Sequence, residues 1–288
     1  MRTYDLDLSE IRLHVVEAGP RDGRPIVLLH GFPEYWFGWR RQLTALAAQG
    51  MRVVAPDQRG YNLSEKPRRV EAYVLPRLAG DVTELVDELG LERFVLAGHD
   101  WGGAVAWWFA SHHPDRLSHL IAMSSPHPRA MADALRRDWK QRFRSLYMLF
   151  FQIPRFAEWV LGAANGWLLA RGMQRSRVQG AFDRAELARY RFSWQRPGAL
   201  RSMLNWYRAL RKDRARAASL AEVQVPTTLV WGEQDPFFAG SSLTQSVKYC
   251  AEATAIPLQD CGHWVQHERP EDILQILSGE APGRSQVQ

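Results

Sequence analysis

The sequence predicts an α/β protein with a mostly parallel central sheet, helices on both faces and an inserted helical cap. Short β-branched and apolar runs alternate with stretches of helical spacing up to about residue 127, the pattern of strands joined by helical crossovers. Between residues 128 and 218 helical spacing continues without a clear strand, and strand-like runs then resume. With 288 residues, 46% of them hydrophobic, the chain can bury a large core.

Each predicted strand is a short run rich in Val, Ile, Leu or Ala. In chain order, the predicted strands are 13–17, 25–30, 52–57, 94–99, 117–123, 227–231 and 253–257. Helical spacing predicts helices over 36–48, 81–89 and 102–113. Gly50 and Gly90 follow the first two, as expected just beyond a helix C-terminus, and Pro114 stops the third.

The chain divides into a core interrupted by a cap. Residues 1–127 and 219–288 are expected to form the two parts of the core, and residues 128–218 the helical cap, or lid. Ligands of open α/β sheets bind at the carboxyl ends of the strands, and an insertion after a strand lies over that edge. The polar tail, residues 279–288, is expected to be disordered.

Composition excludes several classes of protein. The first seven residues hold no apolar segment, so no secretory signal is expected, and no run approaches ~18 apolar residues, so no membrane span is expected either. Cys250 and Cys261 are too few for a disulfide framework. Free thiols are typical of a reducing compartment, so the expected location is cytoplasmic.

Positive charge is concentrated in the cap. The net charge is +6, but residues 129–216 hold 20 Lys and Arg against 6 Asp and Glu. This composition is typical of a solvated, arginine-rich helical surface; attraction to anionic substrates, lipids or polymers is the alternative. The arginines match no nucleic-acid motif, so nucleic acid is not an expected partner. The oligomeric state stays open, and a homodimer is one arrangement the sequence allows.

Asp100 is the residue that most narrows the chemistry. It follows a predicted strand in the pattern Gly-x-Asp-x-Gly, which has the form of a nucleophile elbow, a strained strand-to-helix turn that exposes one reactive side chain. Ester-cleaving enzymes carry serine at this position. A carboxylate there is suited to displacing a leaving group at saturated carbon, with formation of a covalent alkyl ester.

Such an ester must be hydrolysed, which requires a base, an orienting acid and oxyanion donors. His263, just after the last predicted strand, is the candidate base. Asp235, in the loop after the strand at 227–231, is the candidate acid, with Glu233 as the alternative. The candidate oxyanion donors are the backbone N–H groups of Phe32 and Trp101. Other histidines are expected to be structural or, like His267, exposed.

These motifs together resemble the α/β-hydrolase-fold epoxide hydrolases. The motifs are HGFPE at 30–34, DQRGYNLS at 57–64, GHDWGG at 98–103, WGEQD at 231–235 and GH at 262–263. The resemblance runs from about residue 10 to 275. It implies the α/β-hydrolase fold, a catalytic triad of Asp100, His263 and Asp235, and no metal or organic cofactor.

The resemblance also implies two cap tyrosines that hold the epoxide oxygen. The segment SLYMLFFQIP at 145–154 is similar to the first tyrosine motif and indicates Tyr147; SMLNWYR at 202–208 is similar to the second and indicates Tyr207. A neutral phenol is the state this role needs, and an ordinary pKa of ~10 provides it at pH 7. Phe32, Trp101, Phe151 and Trp206 are the expected apolar substrate contacts.

The expected reaction is conversion of an apolar epoxide and water to a vicinal diol, through a hydroxyalkyl ester on Asp100, in a detoxifying role. The alternative is a haloalkane or haloacid dehalogenase, because those enzymes share the triad. Two departures count against it: Phe32 stands where an asparagine halide donor often follows His-Gly, and Trp101 stands where fluoroacetate-type relatives have arginine. A non-catalytic receptor built on the same scaffold is a third reading.

Overall fold

The computed structural model describes residues 1–176, 178, 180–218 and 220–279. Its centre is an eight-stranded sheet in the order β1-β2-β4-β3-β5-β6-β7-β8. The first two strand pairs, β1 with β2 and β2 with β4, are antiparallel, and the other neighbours are parallel. The strands are β1 (Arg2–Asp7), β2 (Arg12–Ala18), β3 (Pro25–Leu29), β4 (Arg52–Pro56), β5 (Phe94–His99), β6 (Leu117–Met123), β7 (Thr227–Gly232) and β8 (Ala253–Leu258).

The seven strands that the sequence predicts all form, within two residues at each end. The strand β1 is an additional edge strand that no sequence pattern predicts. Its six residues, RTYDLD, are all exposed or partly exposed, and they pair only with β2. Only Tyr4 and Leu6 pack against the core, and both are only partly buried, so this edge strand lacks the apolar run by which the others are found.

Twelve α-helices occur among the described residues. They are α1 (Arg40–Ala48), α2 (Leu75–Glu88), α3 (Trp101–His112), α4 (Pro128–Arg137), α5 (Trp139–Arg144), α6 (Tyr147–Phe150), α7 (Phe156–Gln174), α8 (Arg184–Trp194), α9 (Ala199–Ala218), α10 (Gly240–Ser246), α11 (Val265–Glu268) and α12 (Pro270–Ser278). The helix predicted at 81–89 begins earlier, at Leu75. Pro76 is favourable in a first helical turn, and Gly80 is tolerated in the helix interior.

The sheet has an apolar layer on each face, as the sequence predicts. Side chains of β3 alternate between the two: Val27 and Leu29 belong to one cluster, Ile26 and Leu28 to the other. The first cluster includes residues of α2, α3, α7, α8 and α9, whereas the second includes residues of α1 and α12. A parallel sheet covered on both faces explains why its strands are almost continuously hydrophobic.

The helices α4 to α9 lie between β6 and β7, which are neighbours in the sheet. Three buried hydrogen bonds tie this segment to loops of the core. The Tyr190 hydroxyl donates to Glu34 Oε1 at 2.7 Å, the Trp194 indole to Pro33 O at 2.6 Å, and the Trp206 indole to Arg59 O at 3.0 Å. The segment is therefore fixed to the β3 and β4 ends of the sheet.

Residues 280–288, which make up the expected disordered tail after Gly279, lie outside the described residues. Within the described part of the chain, no helix has the length and apolar character needed to cross a bilayer.

We expect Phe109→Ala to lower the free energy of unfolding by about 3–5 kcal/mol, because Phe109 on α3 is fully buried and its removal leaves a cavity. Chemical denaturation measures this change. The matched control is Phe192→Ala, which removes the same side chain from a site that is 66% exposed. The control should cost about 1 kcal/mol or less. Equal losses in the two variants would contradict the packing described for α3.

Candidate active site

Asp100 lies in the turn between β5 and α3. Its backbone has φ 52° and ψ −117°, outside the regions that a side-chain-bearing residue favours. A residue held this way costs roughly 1–3 kcal/mol, and such strain is typical of functional sites. The turn is short because β5 ends at His99 and α3 begins at Trp101, so the carboxylate projects from the carboxyl edge of the sheet.

Glycines around Asp100 allow the turn to pack against the sheet. A Cβ atom on Gly98 would lie 2.3 Å from Gly102 O, and one on Gly102 would lie 2.2 Å from Leu29 O. On the other side, a Cβ on Gly31 would lie 2.5 Å from the Asp100 Cβ. The glycines of the GHDWGG and HGFPE motifs are therefore steric requirements of the turn.

Backbone groups surround the Asp100 carboxylate. The Phe32 N–H donates to Asp100 Oδ1 at 2.9 Å. Trp101 is the first residue of α3, so its N–H has no acceptor within the helix. The positive end of the α3 dipole also points at Asp100 and favours a negative charge there. Of the two predicted oxyanion donors, the Phe32 N–H thus contacts the carboxylate, and the Trp101 N–H belongs to the next residue of the chain.

His263 connects Asp100 to Asp235. His263 Nδ1 is 2.8 Å from Asp235 Oδ2, and its Nε2 is 3.8 Å from Asp100 Oδ2. The other oxygen of Asp235 accepts hydrogen bonds from the backbone N–H groups of Phe237, at 2.7 Å, and Phe238, at 3.0 Å. Because Oδ1 accepts from two backbone groups, Oδ2 is the acceptor for the imidazole, which makes Nδ1 of His263 the protonated nitrogen and leaves Nε2 free to accept a proton.

Electrostatics favour a basic imidazole at this position. Burial lowers the pKa of His263, but the charge and hydrogen bond of Asp235, and the charges of Asp100 and Glu34, more than offset it. The net effect raises the pKa above its ordinary value of 6.5. The alternative acid Glu233 is exposed, whereas Asp235 is buried against the imidazole.

Behind the imidazole lies a buried carboxylate, Glu34, to which the sequence analysis assigns no role. It accepts hydrogen bonds at 2.7 Å each from the Tyr190 hydroxyl, the Gln266 amide and His267 Nε2. Burial raises its pKa, but contacts with His267 and His99 hold the pKa of Glu34 well below its ordinary value. His99 in turn contacts the backbone oxygen of His263 at 2.9 Å.

The expectation that His267 is exposed is wrong. The side chain is almost fully buried, with Glu34 on Nε2 and Arg40 3.3 Å from Nδ1. Burial lowers the pKa of His267, so the ring is a neutral donor to Glu34 at pH 7. Its partners are more than 200 residues away in the chain, so no local pattern in the sequence indicates this network.

Tyr147 on α6 and Tyr207 on α9 face the same cavity as Asp100. Their ring centroids are 6.0 Å apart, and Trp101 packs edge-on against Tyr207 at 5.0 Å. Burial, and the nearby charge of Asp100, raise the pKa of both phenols. Both hydroxyls are therefore neutral at pH 7 and able to donate, because burial and the Asp100 charge add to the already high pKa of a tyrosine.

The cavity has a volume of about 370 Å³ and a mostly apolar lining. Besides the two tyrosines, Asp100 and Trp101, the lining includes Leu75, Pro126, Met131, Leu135, Met148 and Leu210. Cavities of this size and character bind small apolar molecules with a few polar groups to orient them. The single carboxylate and the two phenols are such polar groups.

Three of the expected substrate contacts pack behind that lining. The Phe32 ring lies against Phe151 and Tyr207, at centroid distances of 5.6 and 5.2 Å. Trp206 packs on Trp101 at 5.6 Å and donates its indole N–H to Arg59 O. Among the described residues, the cavity wall includes Trp101 but not Phe32, Phe151 or Trp206, whose contact with substrate stays a prediction.

The described residues contain no group of three or more His, Cys, Asp and Glu side chains arranged to hold a metal ion. The two cysteines are free thiols: Cys261 is buried and Cys250 is partly buried.

Comparison with known proteins assigns the chain to a family. Residues 24–270 match the family model described as alpha/beta hydrolase fold. The chain is 40% identical to the AB hydrolase superfamily protein YfhM of Bacillus subtilis, over 94% of this chain and 95% of that protein. It is 36% identical to Epoxide hydrolase 3 of Xenopus tropicalis, over 93% of this chain and 74% of that protein.

A solved structure is similar to this chain along nearly its whole length. The chain is similar to the crystal structure of a Bacillus megaterium epoxide hydrolase in complex with an inhibitor, with a TM-score of 0.87 and 28% identity. The match covers 96% of this chain and 99% of that one. The eight-stranded sheet, the matched family model and these relatives lead to one assignment: the chain belongs to the α/β-hydrolase-fold family and, within it, to the epoxide hydrolases.

Proposed function

We propose that this protein hydrolyses apolar epoxides to vicinal diols through a covalent ester on Asp100. The observation that carries the proposal is one arrangement: two neutral phenols, on Tyr147 and Tyr207, share an apolar cavity with a carboxylate, and His263 Nε2 is 3.8 Å from that carboxylate. Epoxide opening needs an acid for the oxygen and a nucleophile for the carbon, and both face the same space.

In the first step, Asp100 Oδ2 attacks a ring carbon from the side opposite the epoxide oxygen. Oδ1 is engaged by the Phe32 N–H, so Oδ2 is the oxygen available for the attack. As the carbon–oxygen bond breaks, its electron pair goes to the epoxide oxygen, which accepts hydrogen bonds from both phenols and a proton from one of them. The products of this step are a hydroxyalkyl ester of Asp100 and one tyrosinate.

In the second step, His263 Nε2 removes a proton from water, and the resulting hydroxide attacks the ester carbonyl carbon. Oδ1 becomes the oxyanion and is stabilised by the Phe32 and Trp101 N–H groups. Collapse breaks the bond from the carbonyl carbon to Oδ2, and the departing diol takes the proton from His263. The second proton of the water returns to the tyrosinate, which restores the enzyme.

The pair Asp235 and His263 supports this second step. The 2.8 Å contact at Nδ1 and the two backbone donors on Asp235 fix the imidazole with Nε2 directed at Asp100. The distance of 3.8 Å from Nε2 to Oδ2 is too long for a direct hydrogen bond and suits contact through one water.

The apolar lining favours aryl and aliphatic epoxides over highly polar ones. We also propose a detoxifying role in the cytoplasm, where the free thiols of Cys250 and Cys261 stay reduced. Dehalogenation is the second candidate because the same carboxylate displaces halide at saturated carbon. The two phenols count against it, since a halide leaving group needs no proton.

We expect His263→Gln to trap the ester. In this variant Asp100 is intact and opens the ring, but no base activates water, so the mass of the intact protein rises by that of one styrene oxide molecule. The control is Asp100→Ala/His263→Gln, which has no nucleophile and should gain no mass. Loss of turnover without an adduct would contradict the role of His263. In the unmodified protein, halide release from a haloalkane, with no diol from any epoxide, would favour dehalogenation.

We expect Tyr147→Phe/Tyr207→Phe to slow ester formation by about 10²–10⁴-fold, the usual contribution of a positioned proton donor. Rapid-mixing measurements of alkylation in a His263→Gln background isolate this step. The matched control is Tyr249→Phe, which removes a hydroxyl that donates to Asp133 outside the cavity. An alkylation rate unchanged in the cavity variant would contradict the epoxide assignment.

We expect ester hydrolysis to rise with pH through the pKa of His263, because only the neutral imidazole accepts a proton from water. The charge of Asp100 contributes to the raised pKa of His263, and esterification removes that charge. The imidazole should therefore titrate at lower pH in Asp100→Asn than in the unmodified protein, as NMR of the His263 ring measures. An unchanged or higher pKa in that variant would contradict the proposed coupling.

A further inference from the structure

The cap has a stripe of large apolar side chains on its outer side. Seven such residues within 139–159 are 48–72% exposed, although core packing usually buries side chains of this kind. We name them the outer stripe: Trp139, Phe143, Leu146, Leu149, Ile153, Phe156 and Trp159. Their spacings along the chain are three and four residues, which is the period of one side of a helix.

The stripe positions lie on three successive helices, α5, α6 and the start of α7, and on the turns that join them. Helical or turn hydrogen bonds run through the segment, from Leu146 N to Phe143 O, Leu149 N to Leu146 O and Ala157 N to Ile153 O. Between and just after the stripe positions, Gln141, Ser145, Phe151, Ala157 and Leu161 are buried, whereas Lys140, Arg142 and Arg155 are exposed. The segment thus has two apolar sides, one against the cap interior and one towards solvent.

The stripe is accompanied by exposed positive charge. Arg137, Lys140, Arg142 and Arg155 are exposed, and none forms an ion pair with a carboxylate of the described residues. The two carboxylates of this segment have other partners: Asp138 accepts from the Lys140 backbone N–H and from Ser241, and Glu158 pairs with Arg208.

We propose that the outer stripe docks the cap on an anionic lipid surface. Aromatic and aliphatic side chains in one row, flanked by Lys and Arg, are typical of segments that lie in the headgroup region without crossing the bilayer. A second copy of this chain is the less favoured occupant. Its cap, residues 129–216, carries the same excess of 20 basic over 6 acidic residues, so two caps would repel.

Docking would bring the cavity close to the lipid phase. The short helix α6 carries Tyr147 and Met148 on the cavity wall, and Leu149 of the outer stripe on the opposite side. Apolar epoxides partition into lipid, so an enzyme docked by this face would meet its substrate at high local concentration. The docking itself is independent of the chemistry at Asp100, and each can fail without the other.

The test is co-sedimentation of the full chain with vesicles of phosphatidylcholine alone, or with an equal part of phosphatidylglycerol. We expect binding to the anionic vesicles at low salt and weaker binding at 0.5 M salt. Phe143→Ser/Leu149→Ser/Trp159→Ser should lower the partition coefficient at least tenfold. Arg137→Gln/Arg142→Gln/Arg155→Gln should lower it about fivefold for each cation removed.

The matched control is Leu63→Ser/Phe192→Ser, which removes exposed apolar side chains outside the stripe and should change binding less than twofold. Diol formation from dissolved styrene oxide should be unchanged in all of these variants, which reports an intact fold. Absence of binding to anionic vesicles, or an equal loss in the control, would overturn the proposal. So would a dimer by light scattering that the stripe variant converts to monomer.

Discussion

The turn at Asp100 is the constraint on which the site depends. A φ of 52° aims the carboxylate out of the sheet, and the turn fits only because glycine stands at residues 31, 98 and 102, where a Cβ would meet backbone or Asp100 itself. The same close packing brings the loop after β3 within hydrogen-bond distance of the carboxylate. Strain at one residue and small residues around it therefore set the position of the Asp100 carboxylate and of the Phe32 N–H that contacts it together.

What the sequence predicts best is what short segments determine. The buried parallel strands, Asp100 in its elbow and the candidates His263 and Asp235 all come from local patterns, and the fold brings the three side chains together. The edge strand β1 lacks such a pattern because only Tyr4 and Leu6 pack against the core, and both only partly. The contacts of Glu34 with Tyr190 and His267 join residues more than 150 positions apart, and no local rule finds them.

The inserted segment of helices α4 to α9 shows another limit of prediction from sequence. Helical spacing correctly indicates helices there, and the density of aromatic residues suggests an apolar pocket. Periodicity defines a side of a helix but not which side faces the protein. Tyr147 lies on the cavity wall, whereas Trp139, Phe143 and Trp159 lie at the surface of the same segment. In a segment that is apolar on both sides, the side that faces the interior can be identified only once its neighbours in three dimensions are known.

The Phe32 N–H has a consequence for the atoms of Asp100. By holding Oδ1, it makes two chemically identical oxygens different. In the proposed reaction Oδ2 leaves with the diol, and an oxygen from water replaces it, whereas Oδ1 stays through every turnover. One oxygen of this side chain thus stays with the protein, and the other is replaced by an oxygen from water at each turnover. The first diol that an enzyme molecule releases therefore carries an oxygen that was incorporated when the chain was synthesised.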